Sequence, residues 1–407
     1  MLHYDLIVIG GGAAGFFGAI NAASLNPKLR ILILEKSNKL LAKVRISGGG
    51  RCNVTHHEFK PAALAKHYPR GRSFIKRVTN HFGVEDTVEW FKARGVDLKV
   101  EDDGRMFPTS DRSATIINCF LREVETYRIE IKRDYEVIKL NPNQNGFEVS
   151  TSAGAYQGNK VLVTIGGHPQ FKRYQWLEEL GLEIIKPIPS LFTFNSQEKN
   201  FADLMGLSVS DASVKIEGTK YEARGPVLIT HWGLSGPAVI RLSAWAAEHL
   251  FAANYELKVL VNWLGEQNEA EVRNHLFEVK QSKPSARVSN TTIGQLPLRL
   301  WNRLCDQAGI NAGQTWNAAS HKQLNRLVEQ LVRCPFQIRG KTTFKEEFVT
   351  CGGVDLSEVD PNTMEWKKYP GLYFAGEVLN VDGETGGFNF QAAWSTAFVA
   401  ATSIAGG

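Results

Sequence analysis

Leu6-Ile7-Val8-Ile9-Gly10-Gly11-Gly12-Ala13-Ala14-Gly15 is the stretch whose reading decides the fold. Four apolar residues, three of them β-branched, read as a strand buried on both faces. Gly10, Gly12 and Gly15 then give the spacing G-x-G-x-x-G. Gly10 permits a tight turn, Gly12 lets a pyrophosphate approach the backbone, and Gly15 lets helix and strand pack closely. A helix is expected from Ala13 to Ala23, its free N–H groups and positive dipole end facing the phosphates. A second strand, Ile31 to Leu34, ends at Glu35, where a ribose-binding acid is expected. Strand, glycines, helix, strand and acid in this order point to a dinucleotide-binding α/β domain.

Working outward, 407 residues suggest two or three domains at about 150 residues each. The apolar share of 43% suffices for a sizeable core. Lys and Arg number 47 against 42 Asp and Glu. So small a surplus suits an anionic cofactor and gives no argument for nucleic acid. The first strand begins close to Met1, so no signal or transit peptide is expected. No apolar run is long enough for a membrane span. Five scattered cysteines, with no C-x-x-C and no zinc-ligand spacing, fit a reduced, cytoplasmic protein without a metal.

After Glu35 comes Ser47-Gly48-Gly49-Gly50-Arg51-Cys52-Asn53. Three successive glycines read as a loop whose amides approach a ligand, with Lys43, Arg45 and Arg51 adding positive charge. Residues 61–94 read as mainly helical, 97–101 as a short strand, Gly104 to Pro108 as a turn and Ser113 to Tyr127 as a helix. Segments 129–140, 146–151 and 153–158 read as a β meander, and Lys160 to Ile165 as a separate buried strand ending in Gly166-Gly167. Short alternating segments at 191–197, 207–217, 220–224 and 226–231 suggest a small sheet or barrel. Thr230 to Pro237 reads as a loop, Ala238 to Leu250 as a helix and Glu256 to Trp263 as a strand. Helices are expected at 268–281, 297–308 and 320–333, with strand returning at 336–339 and 347–350. At the end, Gly371 to Glu377 reads as a strand, and Asp382 to Gln391 as a glycine-rich turn running into a helix over Ala392 to Ala401.

One G-x-G-x-x-G explains a nicotinamide site but not the loop at 47–53, Gly376-Glu377 or Gly386-Gly387. A cofactor with a second ring system, FAD, explains them all. Gly10 to Gly15, Ser47 to Asn53, Thr230-His-Trp-Gly-Leu-Ser-Gly-Pro237, Val349-Thr-Cys-Gly-Gly-Val354, Tyr373-Phe-Ala-Gly-Glu377 and Thr385-Gly-Gly-Phe-Asn389 together resemble the aminoacetone-oxidase-like bacterial flavoproteins, also described as NAD(P)/FAD-dependent oxidoreductases. The resemblance spans essentially the whole chain. It implies a Rossmann-like FAD domain of the two-dinucleotide-binding type over 1–190 and 345–407. It also implies an inserted β-barrel over 191–265 and 335–344, and a helical subdomain over 266–334. It implies that Glu35 holds the adenosine ribose, beside Lys36, and that backbone near Val137 meets the adenine. Gly10, Gly12, Ala13, Ala14 and Gly15 would cradle the pyrophosphate. Lys43, Ser47, Gly48, Gly49, Arg51, Cys52 and Asn53 would line the cofactor, with Thr164, Gly166, Gly376, Glu377, Asp382, Gly386, Gly387, Phe388 and Asn389. Phe388 stands where the family often has Tyr, which removes a hydroxyl and keeps a ring.

Flavin carries the redox chemistry and the protein supplies position and electrostatics. Related disulfide reductases carry a C-x-x-x-x-C pair near this point; the lone Cys52 reads instead as a small residue packed near the cofactor. His231 is the leading acid/base candidate, against a purely structural role in its turn. Arg105 is weighed equally as an anchor for an anionic group and as a surface ion-pair partner. The expectation is an FAD-dependent oxidoreductase acting on a small-molecule substrate between the FAD and inserted domains, with NAD(P)H as a transient electron donor. A tRNA-modifying flavoprotein and a flavin-bound carrier or sensor without turnover are the alternatives. No membrane partner and no nucleic acid are expected.

Overall fold

The computed structural model describes residues 2–196, 199–342 and 349–406. The expected 344/345 junction and the start of the strand at Glu347 lie outside the described residues. Two compact units form, one of Met1–Ser190 with Lys345–Gly407 and one of Leu191–Phe344.

The first unit is a Rossmann-like α/β layer structure. β1 (Leu2–Ile9) leads to α1 (Ala13–Leu25), β2 (Ile31–Glu35) and α2 (Ala42–Gly50). β1 is flanked by parallel partners, β2 on one side (Leu6 opposite Ile31) and Gly154–Val163 on the other (Ile9 opposite Val163). This central position explains why Leu6 to Ile9 are all buried. The sheet runs Glu130–Arg133, β2, β1, Gly154–Val163, Gly146–Thr151, Val137–Asn143, with Leu372–Phe374 also joined to Gly154–Val163.

That long strand corrects the reading of two separate strands at 153–158 and 160–165. Its first half pairs antiparallel with 146–151, and its second half pairs parallel with 372–374. Likewise 129–140 is not one meander strand: Glu130–Arg133 pairs parallel with β2 at the sheet edge, and only Val137–Asn143 joins the meander. Arg105–Pro108, read as a turn, is the middle strand of a small sheet between Thr55–His56 and Leu98–Val100. The last helix runs over Phe388–Gly406 and packs along α1, where Gly18 faces Ala397. Phe17, Phe82, Trp90, Phe120 and Trp394 form one aromatic cluster there.

In the second unit, a closed antiparallel barrel of six strands is built from 193–196, 233–235, 222–230, 208–216, 256–262 and 334–342. Segments 220–224 and 226–231 are one strand, because Gly225 at φ +147 carries the chain through a register shift without breaking it. Thr230 to Pro237 is a tight hairpin into Gly233–Ser235 rather than an open loop. The helix read over 238–250 breaks at Ala246 into Pro237–Trp245 and Ala247–Ala252. Helices Glu269–Ser282, Leu298–Gln307 and His321–Val332 share one apolar core with the barrel.

Candidate functional site

β1 delivers the chain into Gly10 at φ +116, where an added Cβ would lie 2.4 Å from the Thr164 carbonyl oxygen. A Cβ on Gly15 would lie 2.0 Å from the Gly10 carbonyl oxygen. Gly12 is different: its backbone is extended (φ −95°) and an added Cβ would meet nothing within 4 Å. Two of the three glycines therefore serve packing, and the third faces open space. α1 begins immediately after Gly12 with no side-chain cap and no acid in its first turn, which leaves the amides around Ala13 and Ala14 suited to an anion. The Thr164 hydroxyl bonds to the Ile9 and Gly10 carbonyls at 3.1 and 3.0 Å, so this side chain holds the turn's shape. Glu35 is oriented by the Gly11 N–H (2.8 Å) and by the Ser37 N–H and O–H (3.0 and 2.9 Å), with Lys36 exposed beside it.

The glycine loop is tied to the end of α2. Helical geometry stops at Ser47 (ψ 148°), and Gly48, Gly49 and Gly50 all take positive φ, so the glycines turn the chain although the segment opens as a helix. A Cβ on Gly48 would press on Phe107 at 2.8 Å, whereas Gly49 and Gly50 face open space. The Arg51 guanidinium stacks 3.9 Å from the Phe107 ring and pairs with Glu101 and Asp111. Cys52 is fully buried at φ +64, and burial pushes its thiol up to about 12, so it stays protonated. Lys43 Nζ lies 2.7 Å from Glu377 Oε2, while Glu377 Oε1 accepts the Thr350 N–H at 2.9 Å. Gly376, at φ +77, would bring a Cβ within 2.8 Å of Ala14, so the C-terminal strand ends against the start of α1. Gly166 (φ +72) again faces open space, and Val137 is half-buried at the start of its strand opposite Thr151.

The turn before the last helix is gripped from both ends. Asn389 accepts the Gly383 N–H at 2.8 Å and donates to the Gly383 carbonyl at 2.9 Å. Asp382 has no exposed surface; Arg70 holds both its oxygens and Ser190 donates to one at 2.9 Å. Burial pushes its carboxyl upward against the pull of Arg70. Asp382 is thus placed to anchor the turn from beneath rather than to reach a ligand. Phe388 stacks on the His56 and His67 rings at 4.6 and 4.3 Å, and His67 Nδ1 lies 3.0 Å from Glu384 Oε2. His56, His67, Glu384 and Arg70 were not legible as site residues. The one signal in the sequence was Thr55-His56-His57 directly after the glycine loop.

The two catalytic candidates belong to different units, and Arg105 pairs opposite His56 in the small sheet. His231 is exposed at the tip of the second unit's hairpin, its ring 4.2 Å from Trp232. Arg105 lies in the first unit and is engaged by Asp103 at 2.7 Å and Glu101 at 3.1 Å.

These residues fit a long dinucleotide. Open ground at Gly12, Gly49, Gly50 and Gly166 is what close backbone approach requires, and the buried Thr350 hydroxyl beside Glu377 has no protein partner. Among the described residues, no cluster of three His, Cys, Asp or Glu could hold a metal, and no helix is long and apolar enough to cross a membrane.

Comparison with known proteins agrees with the Rossmann-like fold. The family model described as HI0933-like protein Rossmann domain matches residues 4–403. A ribosomal RNA dihydrouridine synthase of Escherichia coli (strain K12) is 29% identical, covering 99% of this chain and 98% of its own. A 3-dehydro-bile acid delta(4,6)-reductase of Clostridium scindens is 27% identical, covering 98% of each. Among solved structures, a 3-ketosteroid delta1-dehydrogenase from Sterolibacterium denitrificans shares the fold at a TM-score of 0.54 and 11% identity, each chain covered in full.

Proposed function

We infer that this chain, which belongs to the HI0933-like protein Rossmann-domain family and is an FAD-dependent oxidoreductase, transfers two hydrogens across a carbon–carbon double bond conjugated to a carbonyl. The observation that carries the cofactor side of this reading is the cradle in the first unit: an uncapped helix start behind a glycine with open space around it. The names of two full-length relatives support the bond class. Dihydrouridine differs from uridine by two hydrogens across one ring double bond, and a delta(4,6)-reductase saturates bonds of a steroid ketone.

When bound, FAD supplies a hydride acceptor and donor at its isoalloxazine ring. The amides after Gly12 would hold its pyrophosphate, Glu35 its adenosine ribose, and backbone at Val137 its adenine. Lys43 and Glu377 would face the ribityl chain, while residues 48–53 and 386–389 would face the ring. We propose His231 as the group that gives or takes the accompanying proton at an imidazole nitrogen; its exposure leaves it open to exchange with water. Arg105 would have to leave Glu101 and Asp103 to anchor a substrate anion, so we rank it below His231. We place the chain near the aminoacetone-oxidase-like flavoproteins and in the cytoplasm, where its five buried cysteines would stay reduced.

The substrate we favour is a small, flat conjugated ketone, with NAD(P)H as electron donor. A second reading, a uracil base within RNA, is favoured by the name of the relative at 29% identity. Against it stands the small surplus on residues 191–344, 17 Lys and Arg against 13 Asp and Glu, with no basic block. The deciding experiment is anaerobic reduction with NADH or NADPH followed by enones, or by ribosomal RNA transcripts, at the flavin absorption band. Products are weighed by mass spectrometry for a gain of two hydrogens. Reoxidation by RNA alone would replace the small-molecule reading; reoxidation by neither would refute the bond class.

A further inference from the structure

We propose that His56 is a positioning residue of the cofactor site, which together with Asn53 fixes the orientation of the Gly386–Gly387 peptide. The proposal rests on the FAD reading above and extends it to the turn that would meet the flavin.

A peptide's C=O and N–H point in opposite directions from one rigid plane. In the Gly386–Gly387 peptide both are held by side chains from the same short segment. The carbonyl of Gly386 faces His56 Nδ1 at 3.0 Å, and the N–H of Gly387 donates to the Asn53 side-chain oxygen at 2.9 Å. Because Nδ1 faces a carbonyl, it carries the proton, and the neutral ring's lone pair is on Nε2. Both flanking residues are glycines at positive φ, +130° and +94°. Such a peptide has no side chain of its own to oppose turning over; the Thr55 backbone packs close on Gly387, and the two hydrogen bonds set the peptide's orientation within that space.

The two holders are themselves fixed. The Asn53 amide nitrogen faces the Met106 and Thr55 carbonyls at 3.2 and 3.0 Å, which sets which end meets Gly387. The His56 ring lies against Phe388 at 4.6 Å and 28°. Its other edge fits only because residue 104 is glycine at φ +83: a Cβ there would lie 2.6 Å from Nε2. Turning the peptide over would break both bonds at once and set the Gly386 carbonyl free immediately before the last helix. The first amides of that helix, at Phe388 and Asn389, follow the peptide directly. A free carbonyl would then stand beside those amides, where an electron-rich flavin ring would meet it.

The test uses His56→Leu, which removes the donor, and His56→Asn, whose amide N–H replaces that of Nδ1. Hydrogen exchange at the Gly387 amide in the cofactor-free full chain reads the grip. FAD titration by fluorescence quenching reads its consequence. We expect protection lost in H56L and kept in H56N, and FAD affinity at least tenfold weaker in H56L but within threefold of wild type in H56N. Melting of both cofactor-free variants near wild type shows that the effect is local. Unchanged Gly387 protection in H56L overturns the grip whatever FAD does. Equal loss of affinity in both variants overturns the role of the N–H and assigns the effect to ring stacking. Wild-type protein with a protected Gly387 amide that takes up no FAD overturns the cofactor reading, and with it the link between grip and flavin.

Discussion

Gly12→Ala and Gly15→Ala are the same chemical change three residues apart, and the structure predicts opposite consequences. At Gly12 the backbone is extended and an added methyl meets no atom within 4 Å. The cofactor-free protein should tolerate it, with a gain of about 0.4–1 kcal/mol from the less flexible unfolded chain. The methyl would instead stand where a phosphate must approach the backbone. Losing one hydrogen bond to a charged group costs about 1.5–3 kcal/mol, and at about 1.4 kcal/mol per tenfold this is roughly a 10- to 100-fold weaker FAD complex. At Gly15 the methyl would fall 2.0 Å from the Gly10 carbonyl oxygen, so the turn itself must shift. Cofactor-free Gly15→Ala should melt well below wild type, and FAD binding should fall with it. The assay is thermal unfolding of both cofactor-free variants, then FAD titration and the FAD-dependent rise in Tm, which grows with free ligand over Kd. Wild-type affinity in Gly12→Ala would show that the open space is not a phosphate site. A loss of stability equal to that of Gly15→Ala would refute the distinction between the two glycines.

His231→Ala, at an exposed position, should leave the melting temperature and flavin spectrum unchanged while slowing turnover roughly 10²- to 10⁴-fold; stopped-flow flavin kinetics showing a wild-type rate would remove it from the mechanism. Arg70→Met strands Asp382 without its partner in a site with no exposed surface and should cost about 3–5 kcal/mol in urea unfolding. Restoration of stability by the added change Asp382→Asn would tie that loss to the unpaired charge, and no recovery would count against it. Cys52, Cys119 and Cys305 are pushed up to about 12, 11 and 12 by burial, above the usual thiol value of 9.0. They ionise first in the unfolded chain, so the stability they contribute is full below pH 9 and is lost as pH rises towards their folded values. Native protein at pH 8 should therefore be silent to a thiol reagent, and its Tm should fall above pH 9; rapid labelling at pH 8 would contradict the burial.

Much of the fold was legible where the signal is local. Leu6 to Glu35 carries strand, turn, helix and strand in its own residue types, and the structure follows it closely. Arg105 to Pro108 was misread because its strand character comes from pairing with its hairpin neighbour Leu98–Val100 and with Thr55–His56, distant in sequence, and not from its short run of mixed residues. The break at 158–160 was misplaced for a related reason. One strand changes partner halfway, and burial differs between the halves, so a single element shows two patterns. At the site, glycines that face open space and glycines that serve packing are identical in sequence; only the surroundings of Gly12, Gly10 and Gly15 separate them. The grouping of His56, His67 and Glu384 on Phe388 exists only once two segments more than three hundred residues apart meet.

The partner change along Gly154–Val163 has a consequence for how the chain is made. Half of that strand's outer edge belongs to Leu372–Phe374, and the face of α1 belongs to the last helix. During synthesis from the N-terminus, the parallel layer exists for the length of more than two hundred residues with an open strand edge and an uncovered apolar helix. Residues 191–344, whose barrel strands and helices share their own core, complete that core within this interval. Closing the first unit then requires contacts of very long sequence separation, the slowest kind to form. Until the final helix leaves the ribosome, the nascent chain offers both a pairing edge and a sticky surface, which makes this half of the molecule a natural client for chaperones.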